Sequence, residues 1–210
     1  KIKQNTTVGW LNIPRQAMAN LLDENQTSAR FLGPHYDETI EIEQHIKGKD
    51  FSGLCVFYMV RMMLAYLFDD TDDALKNGEE SVKLLDTILA TPHVTSVHYF
   101  YALTLLRAAE KTPAEKNRLI RRAGKTLQLI KKFAKTAPTN SLAKQHLVMA
   151  EMQRLTGKTS ETHQLYKNAI AAAHENGYIN EEALANELLA RFLATSNPEQ
   201  SRQHLLEARR

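Results

Sequence analysis

The sequence predicts an all-α fold, a solenoid of antiparallel helical hairpins, on three observations. Breakers are scarce: 8 Gly and 6 Pro in 210 residues fall well under their usual joint share of about 12%. Apolar residues recur at spacings of three and four from Asp37 onward, with no sustained strand alternation. Only short connections separate the periodic stretches, so consecutive helices must fold back on one another. The length suits one domain or two small ones, with a core that needs no disulfide or structural metal. At 43% hydrophobic and 24% charged, the chain is neither a disordered tail nor a fibre. The net charge of +3, from 27 Lys+Arg against 24 Asp+Glu, is too small to commit the whole surface to nucleic acid or anionic lipid.

Residues 1–36 carry Gly9, Pro14, Gly33 and Pro34 around Leu21, Leu22, Phe31 and Leu32. They predict short helices and loops, an irregular cap or the remnant of a preceding domain. Residues 37–210 form the helical-repeat region, with nine helices. The first spans 37–47 and ends at Gly48, and the second spans the apolar string 51–68, closed by Asp69, Asp70 and Thr71. A third covers 72–90 and a fourth 93–111, with Pro92 near its first turn, where a missing amide proton costs nothing. Pro113 starts the fifth, whose apolar face is Leu119, Ile120, Ala123, Leu127, Ile130 and Ala134, until Pro138 stops it after Ala137. The sixth, seventh and eighth cover 140–156, 159–176 and 180–195, and Pro198 opens the ninth. Hairpins beginning near 51, 93, 140 and 180 differ by 42, 47 and 40 residues, an irregular period within the range of helical-repeat arrays. Lys1 is not a Met, no basic-then-apolar leader follows it, and the pattern over 200–210 stops without a terminator, so a segment of a longer chain is expected.

Motifs for chemistry are weak. Cys55 lies between Leu54 and Val56, as an inert small hydrophobe would, and a lone cysteine gives no sign of an oxidising compartment. No stretch reaches about 18 consecutive apolar residues, because Arg61 interrupts the longest, so no membrane span is expected. None of the 8 His pairs with another at i,i+3 or i,i+4, and no metal site or other cofactor is expected. No phosphate loop, kinase catalytic loop or nucleophile elbow occurs, so no catalytic residue is assigned. Asp69, Asp70, Asp72 and Asp73 read as caps at a helix start rather than as an acid/base pair. From Arg107 to Lys135, Arg and Lys outnumber the acids Glu110 and Glu115, without alternating aromatic rings. A solvated face is the first reading there, an acidic protein surface the second, and nucleic acid is not expected.

Met149, Ala150, Gly157, Tyr166, Ala169 and Ile170 give the clearest repeat unit, which resembles the tetratricopeptide repeat. In that frame Ala150 is the small residue of the first helix, Gly157 the turn and Ala169 the close contact with the next hairpin. Met62, Ala74 and Ser81 echo it earlier in the chain. Lys144, Glu151 and Arg154 then line the concave side, with Asn186 the matching position in the next hairpin, and these four are the candidate protein-binding residues. Three longer strings, 53–58 (GLCVFY), 98–103 (HYFYAL) and 181–192 (EEALANELLARF), resemble the tetratricopeptide-like helical region of large bacterial signalling kinases. There it follows an AAA-type ATPase module and precedes GAF and histidine-kinase or cyclase domains, often in chains that begin with a Ser/Thr kinase. The likeness runs over 37–210. It implies a right-handed α-solenoid in the cytoplasm that links ATPase and output modules through protein contacts and catalyses nothing itself. A small-effector sensor within the same kind of protein is the alternative, which a buried polar pocket would favour.

Overall fold

A computed structural model describes residues 5–23, 29–89, 91–157 and 159–209. Of the stretch expected to be irregular, residues 1–4 and 24–28 lie outside that set, as do the expected helix ends at 90 and 210. Among the described residues every regular element is helical: α1 Asn5–Leu22, α2 Glu38–Lys47, α3 Phe51–Leu67, α4 Thr71–Lys83, α5 His93–Lys111, α6 Lys116–Thr136, α7 Pro138–Thr156, α8 Thr159–Glu175, α9 Ile179–Leu193 and α10 Pro198–Glu207. A lone bridge between Leu32 and Asp37 is the sole extended pairing among them. No described helix is long and apolar enough to cross a membrane. The chain divides into two units, 1–108 and 109–210, with the division inside α5.

In the first unit α3 is the hub, with α1, α2 and α4 packed on it. Its sequence is apolar almost all round, so all but a few of its residues are buried. Asp50 starts the helix by accepting from the Gly53 amide at 2.9 Å, and the same carboxylate receives Trp10 Nε1 at 3.1 Å and sits 2.8 Å from His45 Nδ1. On α5 every residue from Val97 to Ala108 is buried. Tyr66 of α3 meets Phe100 edge-on, with ring centroids 6.2 Å apart. Gly78 lets α4 approach, since a Cβ there would lie 2.7 Å from Tyr101 Cδ2 and 2.9 Å from Met62 Sδ.

The second unit packs in chain order, α6 on α7, α7 on α8, α8 on α9 and α9 on α10, and α7 also touches α9. Small residues sit at the close approaches: Ala150 and Ala169 are buried, and Tyr166 fills the space between helices with its ring 5.6 Å from that of Phe192. Gly157 ends α7 at φ +77°, a left-handed cap that suits glycine, and its amide bonds the Arg154 carbonyl.

Three local expectations change. The amino-terminal stretch holds one 18-residue helix, α1, rather than short pieces. Its buried face is Ile13, Gln16, Ala17 and Asn20, at helical spacing but with two polar members that hide the periodicity. Those two are used: Gln16 Oε1 accepts from the His35 amide at 3.1 Å, and Asn20 Nδ2 donates to the Arg30 carbonyl at 2.8 Å. The helix expected over 72–90 stops at Lys83 and gives way to a 3-10 turn, Leu85–Ile88. Pro138, expected only as a stop, is the first residue of α7.

Candidate functional site

Arg61 is the one charged residue in α3, and a guanidinium in an apolar helix must find acceptors within the fold. Glu38, at the start of α2, and Asp73, in the first turn of α4, provide them. Arg61 Nε donates to Asp73 Oδ2 at 2.9 Å, Nη2 lies 2.8 Å from the same oxygen, and Nη1 donates to Glu38 Oε2. Glu38 also receives Arg30 Nε at 2.6 Å and the Phe31 amide at 3.0 Å. Burial raises the Glu38 pKa, but the Phe31 amide and the two arginines outweigh it and hold the carboxyl below the usual carboxylate range. Asn77 Nδ2 completes the set by donating to the Asp73 carbonyl at 2.8 Å and to Asp73 Oδ1 at 3.1 Å.

Over this network lies a cleft of about 380 Å³, with Ile42, Phe57 and Tyr58 as its apolar wall and Lys76 and Glu80 among its charged lining. Glu80 is paired with Lys83 at 2.6 Å. Burial, with Glu80 nearby, raises the Tyr58 phenol above its ordinary pKa, so it stays protonated and able to donate. The carboxylates of the network are tied to arginines, an arrangement suited to binding a polar molecule rather than to moving protons. Arg61 entered the sequence reading only as a break in an apolar run, and the cleft was missed. The legible signal was an arginine flanked on every side by core residues.

Of the four residues expected on a concave surface, Glu151 and Arg154 are bonded to each other, and all four are engaged within the chain. Lys144 is buried, 2.5 Å from Glu181 Oε1 and 5.1 Å from the centre of the Tyr178 ring. Burial pushes the Glu181 carboxyl up, and Lys144 opposes this only in part. Glu151 is buried and accepts from Tyr166 Oη. Arg154 joins Glu151 at 2.9 Å and grips Glu110, on the last turn of α5, at 2.7 and 2.9 Å. Asn186 is buried, donates to the Glu182 carbonyl at 3.0 Å and lies 2.8 Å from His204 Nδ1. Lys144, Glu151 and Asn186 are buried, so a docked protein would meet them only by displacing their present partners, whereas Arg154 is partly exposed.

The acidic cluster divides its work. Asp70 caps α4 by accepting from the Asp73 amide at 3.1 Å, as expected. Asp73 serves Arg61, and Asp69 lies 2.5 Å from Arg107 Nη1. Arg107 therefore leaves the basic face expected over 107–135: it is buried, with its guanidinium 4.5 Å from the centre of the Tyr66 ring. Cys55 is fully buried, and burial raises its thiol pKa. The chain matches no protein-family model, no curated protein and no solved structure.

Proposed function

We propose that the chain is a non-catalytic interaction and scaffold segment, a right-handed tetratricopeptide-like solenoid within a bacterial cytoplasmic signalling kinase, where it links ATPase and output modules. The observation that carries this reading is the packing of α7 against both α8 and α9. First helices that touch their counterparts in the next hairpin are how repeat arrays propagate, each hairpin burying the face of its neighbour. The Lys144–Glu181 pair is such a link, from α7 to α9. Buried charges spent on helix-to-helix bonds, as at Lys144 and Glu181, fit a structural part better than a reaction centre.

The Arg61 cleft favours a second reading, a small-effector sensor in the same protein. It joins an aromatic wall to a satisfied polar floor, as small-molecule sites do.

A thermal-shift screen of the whole chain against nucleotides, sugars and amphipathic peptides separates the two, because a ligand that prefers the folded state raises Tm. The scaffold reading expects dose-dependent shifts with peptides alone. A dose-dependent shift with a small molecule, lost in Asn77→Leu, would replace it with the sensor. No shift with any peptide would contradict the scaffold reading.

A further inference from the structure

Helix α6 contains no acidic residue. Its apolar face, with Leu119, Ala123, Leu127 and Ile130, is buried, whereas Arg121, Lys125, Lys132 and Lys135 are exposed. Among the described residues none of these four cations has an ion-pair partner. The first three fall on one stripe, spaced by four and seven residues, and Lys135 lies beside it. Elsewhere Lys83, Lys144, Arg61, Arg107, Arg154 and Arg191 are each held by a carboxylate.

Well round the helix from that stripe, between α6 and α7, runs a groove of about 300 Å³ formed by Leu127, Lys131, Met149, Met152, Gln153 and Thr156, and Lys135, four residues after Lys131, shares the groove's side of α6. Its floor is apolar and includes two methionines, flexible side chains that repack around different apolar shapes. Gly124 keeps the α6 side low, since even an added Cβ would stand 3.7 Å from Met152 Cε. Lys131, one turn beyond Leu127, brings the positive charge to the groove itself. An apolar trough edged by uncompensated cations is complementary to a helix with apolar residues on one side and carboxylates on the other. A nucleic acid strand would satisfy the cations and leave the methionine floor unused, and no ring is present in the groove on which a base could stack.

We propose that the α6–α7 face docks an acidic amphipathic helix of a partner protein, with apolar side chains over Met149 and Met152 and carboxylates on Lys131 and Lys135. The proposal rests on the reading of the chain as an interaction module and names the chemistry of one partner.

The test is fluorescence anisotropy on the full chain with a labelled helical peptide of about 18 residues, five turns, carrying Leu on one face and Glu on the other. A scrambled peptide of the same composition and a single-stranded oligonucleotide serve as comparators. The expected result is saturable binding of the amphipathic peptide, weakened at least about tenfold by the double reversal Lys131→Glu/Lys135→Glu. Met152→Gln should weaken the amphipathic peptide and leave the oligonucleotide signal unchanged, which a purely electrostatic attraction would not do. Circular dichroism checks that both variants are folded, and because Lys135 is exposed and Lys131 partly so, the double variant should keep its helix content. Equal affinity for the scrambled peptide or the oligonucleotide overturns the proposal, as does absence of binding. If this peptide fails while other peptides shift Tm in the screen above, the surface assignment falls and the module reading stands.

Discussion

Single side chains show where this fold spends its charge. Lys144 and Glu181 illustrate a pair whose loss depends on how it is made. Lys144→Met alone strands the buried Glu181, whose carboxyl already sits above its ordinary pKa, and should cost about 3–5 kcal/mol. The double replacement Lys144→Met/Glu181→Leu leaves no stranded charge and should fall within about 1 kcal/mol of the parent protein. Urea unfolding of the three proteins decides it, and a double variant as unstable as the single one would refute the argument. Histidines supply a pH dependence. Burial pushes His93, His98 and His146 below the usual imidazole range. The unfolded chain therefore binds protons before the folded one does. Stability from these groups is fully present above a pH of about 6.5 and is lost as the pH falls from there through the lower folded values. The urea midpoint should hold between neutral and mildly alkaline pH and decline below about 6.5. His146, whose Nδ1 is buried without a partner, should account for part of the decline. His146→Leu should flatten it, and an unchanged slope would remove His146 from the account.

At the scale of helices, glycines test how tightly the elements pack. Gly78→Ala gains helix propensity of about 1 kcal/mol but drives a methyl into Tyr101 and Met62, so a net loss of about 1–2 kcal/mol is expected. Gly124→Ala meets only Met152 Cε at 3.7 Å, an ordinary contact, and should stabilise by about 0.5–1 kcal/mol. Opposite signs from the two thermal melts support the packing described, whereas a stabilising Gly78→Ala would contradict it. The same helices show what the sequence made legible. From α2 to α10 the apolar spacing and the prolines placed most boundaries within a residue or two, because a one-sided core imposes a period on the chain. Helix α1 was hidden because its inward face includes Gln16 and Asn20, polar groups that hold the 30–36 loop and do not look like core. The cleft was illegible for a related reason. Glu38, Arg61 and Asp73 belong to three helices and are far apart in sequence, so only folding brings their charges together. Lys144, Glu151 and Asn186 were read as surface because polar residues usually are, but their partners let them be buried.

For the molecule as a whole, two features compete as the working surface: the polar cleft of the first unit and the basic, methionine-floored groove of the second. The cleft's charges are largely bonded to one another, whereas the groove leaves its cations uncompensated, and uncompensated charge beside exposed apolar surface is what a protein partner completes. The most direct test is hydrogen–deuterium exchange on the full chain, with and without saturating acidic amphipathic peptide. The account predicts slowed exchange over 121–135 and 149–156 and none over 38–42, 57–61 and 73–80. Protection confined to those three cleft segments, with α6 and α7 unchanged, would contradict it.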